Sequence, residues 1–297
     1  MNVAVFGLGS MGYGIARSLL RAGLATYGFD VAAEPMERFR AEGGVAGEAA
    51  AVAGELDAVV LVVLNADQTR DVLFGDAGIA ARMKAGAVVM ACATVPPAFA
   101  REMAEACARA GVHYLDAPIS GGAAKAAEGR LSIMASGTPA AFEAARPLLD
   151  ATAETVFEMG NEAGQGSAMK AVNQMLAGVH IAAMAEAVTF GMTQGIAPER
   201  FMEVIPRCAG TSWMLENRGP HVAEGDYTPR SSVDIWPKDL GIVLEAAARA
   251  RFSAPLTAAA LQQFMAASGS GLGREDDAAV AKVYARNAGI DLPGAED

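Results

Sequence analysis

Through its first 160 residues the chain alternates short β-branched runs with Ala-rich stretches of helical spacing, and this alternation narrows the possible folds more than any other feature. Strands are expected over residues 3–6, 25–29, 58–64, 87–91 and 113–116, and helices over 12–22, 34–42, 67–74 and 97–108. Strands separated in this way lie parallel, because each right-handed crossover returns the next strand beside its neighbour. Runs at 131–136 and 155–158 are expected to finish the sheet. From 167 to 194 almost no turn signal interrupts Ala, Met, Val, Ile and Leu, which reads as one helix too long for an ordinary crossover. Helical patterns at 198–206, 238–250, 255–268 and 277–287 follow, separated by Gly/Pro turns and no β-like run. The expected fold is α/β: a doubly wound sheet over 1–162, then an all-α domain over 163–297 that begins with a long linking helix at about 165–194.

A length of 297 residues suits two domains with a sizeable core, and 53% hydrophobic content excludes a disordered chain. The net charge of −11 repels phosphate polymers and anionic headgroups, and no dense Lys/Arg tract opposes it locally. Nucleic acid and membrane surfaces are therefore not expected partners. Cys92, Cys107 and Cys208 are too few and too scattered for a disulfide framework or a zinc site. His113, His180 and His221 have no carboxylate or Cys at ligand spacing, so no metal is expected. The N-terminus lacks a positive n-region, and no stretch is expected to reach the ~20 apolar residues that span a bilayer. A soluble cytoplasmic protein is the expectation.

The first strand runs straight into Gly7-Leu8-Gly9-Ser10-Met11-Gly12, followed by a helical pattern. Alone a G-x-G-x-x-G is a weak signal; between strand and helix it is a strong one for a dinucleotide pyrophosphate. Gly7 permits the tight turn, Gly9 lets the phosphates approach the backbone, and Gly12 lets helix and strand pack closely. The second strand ends at Asp30, near the offset at which a carboxylate takes the adenosine ribose hydroxyls. A carboxylate there repels the 2′-phosphate of NADP, and Val31-Ala32-Ala33-Glu34 offers no Arg to hold one, so NAD is the expected cofactor. Leu64-Asn65 and Thr94 close later strands on the same sheet edge and are expected beside the nicotinamide ribose.

Asp116-Ala117-Pro118-Ile119-Ser120-Gly121-Gly122 follows another strand, and its Ser120-Gly121-Gly122 can present a hydroxyl and N–H groups to a small carboxylate, although an ordinary turn reads the same way. The long helix opens with Gly164-Gln165-Gly166-Ser167 and carries Lys170, Asn173 and Gln174 at spacings of three and four, on one face. Polar groups buried together need partners, which an oxygen-rich substrate supplies. Hydride departure from a secondary alcohol needs a base for the hydroxyl proton, and a desolvated lysine serves as one. A lone helix lysine more often snorkels to solvent; the upstream dinucleotide pattern favours the acid/base reading of Lys170.

The motifs at 7–12, 116–122 and 164–174 and Lys238-Asp239-Leu240, in this order and spacing, resemble the β-hydroxyacid dehydrogenase family over nearly the whole chain. The resemblance implies a Rossmann domain, an interdomain helix and a helical domain that helps to form a homo-oligomer (dimer or tetramer), as in 6-phosphogluconate dehydrogenase. It implies Lys170 as the catalytic lysine, Ser120, Gly121 and Gly122 as the loop for the carboxylate of a small hydroxy acid, and Lys238 as a lysine reaching the cofactor. Members acting on hydroxyisobutyrate usually carry Asn-Asn after the lysine, whereas this chain has Asn173-Gln174. Segments 174–180, 212–218, 225–231 and 273–277 resemble the L-threonate dehydrogenase branch, which implies oxidation of the C2 hydroxyl of a four-carbon sugar acid. Rival readings are a 3-hydroxyisobutyrate dehydrogenase, a reductase of tartronate or succinic semialdehyde or of glyoxylate, an imine reductase, and an NAD-binding regulatory protein without activity. Retention of Lys170 counts against the last two.

Overall fold

The computed structural model describes residues 1–294; positions 295–297, the end of the expected second domain, lie outside the described residues. The chain divides into two compact units, Met1–Lys170 and Ala171–Asp297.

The first unit is built on eight strands: β1 (Asn2–Phe6), β2 (Ala25–Phe29), β3 (Ala58–Leu61), β4 (Val88–Ala91), β5 (His113–Asp116), β6 (Ile119–Ser120), β7 (Leu131–Ser136) and β8 (Ala153–Gly160). Their order is β2-β1-β3-β4-β5-β7-β6, with β8 on β7. A parallel bridge from Tyr27 to Val45 is the remnant of one further strand outside β2. With that remnant counted, the sheet has the strand order of a dinucleotide-binding fold: the order of connection reverses between β1 and β3, which run parallel. The helices are α1 (Gly12–Arg21), α2 (Ala33–Ala41), the single turn α3 (Ala49–Val52), α4 (Ala66–Phe74), α5 (Pro97–Arg109), α6 (Gly122–Glu128) and α7 (Pro139–Thr152).

Alternate residues of the central strands feed two cores. Val3, Val5, Val60, Val88, Met90 and Leu115 face one side, and Ala4, Val59, Leu61, Val89, Ala91 and Tyr114 the other. Burial on both faces explains why these strands read as continuous apolar runs rather than alternating ones.

Three features of the sheet differ from the expected pattern. β3 stops at Leu61, because Val62 makes the last ladder contact, to Phe6 O at 2.8 Å, before the chain turns. The sheet is not parallel throughout: β7 runs antiparallel to β5 and β6 and parallel to β8. The pairs Asp116–Ser136, Ile119–Ile133 and Ser120–Ser132 keep one register, with Met134 N–H donating to Pro118 O at 3.0 Å between them. β5 and β6 are thus one bent strand along β7, and Ser120 leaves it from a strand rather than from a free turn.

The helix α8 (Gln165–Thr193) runs unbroken for 29 residues and enters the second unit. By length and composition it suffices to cross a membrane, which corrects the expectation that no stretch comes near that limit. It is apolar on most sides because Ile181, Met184, Ala185 and Val188 enter the core of the second unit, as expected of a buried helix. That core is completed by α9 (Pro198–Val204), α10 (Trp213–Glu224), α11 (Ile235–Arg249), α12 (Pro255–Ala267) and α13 (Ala281–Ala288). Trp236 stacks on Phe264 at 5.4 Å between ring centroids, so it is a packing residue. Helix α10 is not among the expected helices, because its Gly219-Pro220 looks like a turn. The helix continues because Ser212 accepts from Leu215 N–H at its start, Met202 fills the space beside Gly219, and Gly225 ends it at φ +68°.

Candidate active site

The glycine loop between β1 and α1 is held by the end of β2. Gly7 N–H donates to Phe29 O at 2.8 Å. Asp30 accepts from Leu8 N–H at 2.6 Å through Oδ2 and from Ala32 N–H at 2.9 Å through Oδ1. Each oxygen keeps acceptor capacity, so the same carboxylate that staples the loop can also meet ribose hydroxyls.

The three glycines are needed for different reasons. Gly7 has φ +93°, and a Cβ there would strike Val62 O; a Cβ on Gly12 would strike Gly7 O. Gly9 faces open space, with no atom within 4 Å of its Cβ position. The loop therefore leaves an open backbone face at the N-terminus of α1, which is what a pyrophosphate needs, and its residues fit a dinucleotide.

A cleft of about 430 Å³ adjoins it, lined by Leu8, Gly9, Ser10, Tyr13, Arg17 and Arg38 among others. The two arginines come from α1 and α2 and not from the residues that directly follow Asp30. Both are answered by carboxylates: Arg17 by Glu42 at 3.0 Å and Arg38 by Glu34 at 3.4 Å, with Arg38 also over the Tyr13 ring.

Met11 is the N-cap residue of α1. On the neighbouring strand ends, Asn65 caps α4 by accepting from Gln68 N–H at 2.9 Å, and Gln68 Oε1 accepts from Leu64 N–H at 2.8 Å. Thr94 lies half-buried in the loop after β4.

The first turn of α8 is fastened to the end of β5 by a carboxylate to which the sequence pattern alone assigns no role. Asp116, 1% exposed, accepts from Gly164 N–H at 2.8 Å and Ser167 N–H at 2.9 Å, and from the hydroxyls of Ser167 at 2.6 Å and Ser136 at 3.2 Å. Burial raises its pKa above the usual carboxylate range, against the pull of these hydrogen bonds. Gly166 N–H donates to Ser136 Oγ at 2.9 Å, and a Cβ at Gly166 would meet the carbonyls of Met134 and Asp116. Gly164 has φ +100°, where a side chain would be strained. The Gly164-Gln165-Gly166-Ser167 motif is therefore the seat of α8 on β5 and β7.

One turn beyond Ser167, the Lys170 ammonium donates to Ile119 O at 2.9 Å, and Lys170 is only 8% exposed. Ile119 precedes Ser120, and Gly121 and Gly122, at φ +135° and +76°, turn the chain from β6 into α6. The structure thus brings the predicted base and the predicted carboxylate loop together in the first unit, through Asp116.

In the second unit α8 presents Asn173 and Gln174. Asn173 Nδ2 donates to Gln174 Oε1 at 2.9 Å, and Gln174 Nε2 donates to Asp239 Oδ2 at 2.5 Å. Asp239 Oδ1 has Lys238 Nζ at 2.9 Å as an ion-pair partner. Gln174 and Asp239 are 7% and 2% exposed. One turn on, a Cβ at Gly178 would lie 2.8 Å from Leu240 Cδ2 and 2.9 Å from Trp236 Cε3, so α8 and α11 touch there.

Segments 212–218, 225–231 and 273–277, unreadable chemically in sequence, converge on two buried acids. Asp277 pairs with Arg218 at 2.5 Å and accepts from Trp236 Nε1 at 3.0 Å; Asp276 meets His221 Nδ1 at 2.8 Å and accepts from Arg230 N–H at 3.0 Å. Burial works against ionisation of both. At Asp276 the hydrogen bonds, that of His221 foremost, still hold the pKa low, whereas at Asp277 burial wins. This network organises the second unit's core.

Residues 2–160 match a family model described as the NAD binding domain of 6-phosphogluconate dehydrogenase, and residues 164–284 one described as NAD-binding of NADP-dependent 3-hydroxyisobutyrate dehydrogenase. The chain is 49% identical over 294 residues to L-threonate dehydrogenase of Cupriavidus necator, covering 99% of this chain and 98% of that protein. It is 47% identical over 297 residues to L-threonate dehydrogenase of Escherichia coli strain K12, covering 99% and 97%. Among solved structures, one named as 3-hydroxyisobutyrate dehydrogenase from Salmonella typhimurium superimposes with a TM-score of 0.91 at 48% identity, covering 95% of this chain and 99% of that one.

Proposed function

The chain belongs to the β-hydroxyacid dehydrogenase family, and on that premise we propose that it oxidises the C2 hydroxyl of L-threonate to the 2-oxo acid, with Lys170 taking the hydroxyl proton. A nicotinamide dinucleotide held at the glycine loop would supply the hydride acceptor. Everything else falls to this chain's residues.

The observation that carries the reading is the place of Lys170: its Nζ is fixed 2.9 Å from Ile119 O, directly before Ser120, by a helix whose first turn Asp116 clamps. An amine so placed is held still beside the loop that takes the substrate carboxylate. Proximity of this kind lowers the entropic cost of proton transfer. Ser120 offers its hydroxyl to the carboxylate, and Gly121 and Gly122 let the chain turn away without a side chain in the ligand's path. Asn173, one turn along α8, meets a substrate hydroxyl. Gly7, Leu8, Gly9, Ser10, Met11 and Gly12 would cradle the pyrophosphate, Asp30 would take the adenosine ribose, and Leu64, Asn65 and Thr94 would serve the nicotinamide side. We infer NAD over NADP from Asp30 and from the carboxylate partners of Arg17 and Arg38.

Names of similar proteins favour L-threonate, at 47–49% identity in the dehydrogenases of that name; the 48% identical Salmonella typhimurium structure favours 3-hydroxyisobutyrate as the second reading. A panel of hydroxy acids, including both threonate enantiomers and 3-hydroxyisobutyrate, followed by NADH absorbance with NAD and with NADP, decides between them. L-Threonate with NAD should give the highest kcat/KM; a higher value for another acid overturns the substrate, and one for NADP the cofactor. Lys170→Met should lower kcat by about 10²–10⁴ with NAD affinity retained, the usual weight of general base catalysis. We also infer a cytoplasmic homo-oligomer: Val172, Leu176 and Phe190 leave more than half of their area exposed along α8, which suits coverage by a second copy. Sedimentation at micromolar concentration tests this.

A further inference from the structure

The neighbouring amides of Asn173 and Gln174 are joined to Asp239 in one hydrogen-bonded line. An ionised carboxylate only accepts hydrogen bonds. Gln174 must therefore turn its NH2 group towards Asp239 Oδ2, at 2.5 Å. Its carbonyl oxygen is then committed to the other side, where it accepts from Asn173 Nδ2 at 2.9 Å. That donation in turn sets the Asn173 amide with its nitrogen towards Gln174 and its Oδ1 away from it. Direction passes from one buried charge through two neutral amides, each of which would otherwise be free to flip. The chain is held in place by the close contact of α8 and α11 at Gly178, with Lys238 Nζ 2.9 Å from Asp239 Oδ1.

We propose that Asp239 is a specificity-determining positioning residue, which by orienting Gln174 makes Asn173 show a hydrogen-bond acceptor to the ligand and so selects acids with a further hydroxyl beside the reacting one. A hydroxyl donates to Asn173 Oδ1. An acid that carries hydrogen or a methyl group there leaves the oxygen unpaired, which costs binding free energy in a desolvated site. Gln174 acts here through Asn173, with one donor and one acceptor of its own amide engaged within the protein.

The proposal rests on the reading that Asn173 meets the substrate. Its test is the ratio of kcat/KM for L-threonate to that for its 3-deoxy counterpart, in the full-length enzyme with NAD. The native ratio should exceed about tenfold, a modest hydrogen-bond selectivity. Asp239→Asn lets either end of residue 239 face Gln174, and Gln174→Asn removes the methylene that reaches Asp239; both should bring the ratio to within about threefold of unity. A purely structural role would lower both activities together and leave the ratio unchanged, which overturns the proposal.

A second readout does not depend on turnover. In side-chain amide NMR, the Gln174 NH2 protons, identified by their loss in Gln174→Asn, should exchange slowly in the native protein and rapidly in Asp239→Asn. Equal exchange overturns the orienting role. Slow native exchange with no turnover of either acid would overturn the substrate reading alone.

Discussion

Helix α8 is served by a buried carboxylate in each unit, and the two work differently. Asp116 binds backbone N–H groups and hydroxyls, donors whose positions the fold already dictates. Asp239 binds a side-chain amide that could equally well present its oxygen. The first carboxylate therefore fixes where the helix lies, and with it Lys170; the second fixes which way a polar group points. A location resists change because many bonds share it, whereas a direction can be lost with one atom.

The largest expected effect comes from removing the first of these. Asp116→Ala leaves Gly164 and Ser167 N–H groups and two hydroxyls buried without an acceptor, and should cost about 3–5 kcal/mol in urea unfolding. Asp239→Ala should cost less, about 1–3 kcal/mol, because Lys238, with 31% of its side chain exposed, can return to water. If the two losses were equal, the distinction between location and direction would fail.

Asp116→Asn separates shape from charge. Its carbonyl oxygen can keep the two N–H donors while its amide donates to Ser167 Oγ, so a loss of about 1–2 kcal/mol is expected, with kcat reduced more than NAD affinity.

The same pair of proteins reports on pH. Since burial raises the folded pKa of Asp116, the folded state takes up its proton before the unfolded state does. Its ionisation penalty is complete above the folded pKa, shrinks as pH falls through it, and vanishes below the unfolded value. The melting temperature of the native chain relative to Asp116→Asn should therefore rise on acidification; a difference that stays flat or falls would contradict the burial argument.

Gly178→Ala is expected to cost about 1–2 kcal/mol, because its methyl would meet a Leu240 methyl, which can yield, and the Trp236 ring, which Phe264 and Asp277 hold, but no backbone. It should nevertheless shift the hydroxylated-to-deoxy ratio while leaving the Asp116 clamp untouched.

Much of the fold was legible. The strands at 25–29, 113–116 and 131–136 lie where periodicity placed them, and so does the long helix, because these runs bury both faces or one long stripe and composition reports burial directly. What periodicity could not convey was the reversal at β7, since strand direction depends on how Ala117 and Pro118 carry β5 into β6 beside a strand not yet made. Helix α10 was hidden by Gly219-Pro220, a local turn signal that packing against Met202 overrides. The arginines of the cleft beside the glycine loop were not legible because α1 and α2 bring them from 17 and 38, outside the few residues after Asp30 that the strand-end rule inspects.

By itself the sequence determined the glycine loop, the strand–helix alternation, the long helix and the presence of one lysine on it, because these are local patterns whose spacing is already their geometry. Only the tertiary structure decided what Asp116, Asp239 and the acids at 276 and 277 do. A carboxylate has no directional preference of its own, and its role follows from which donors the fold leaves facing it: those of residues 164 and 167 for Asp116, and those of residue 174 for Asp239, 48 and more positions away along the chain.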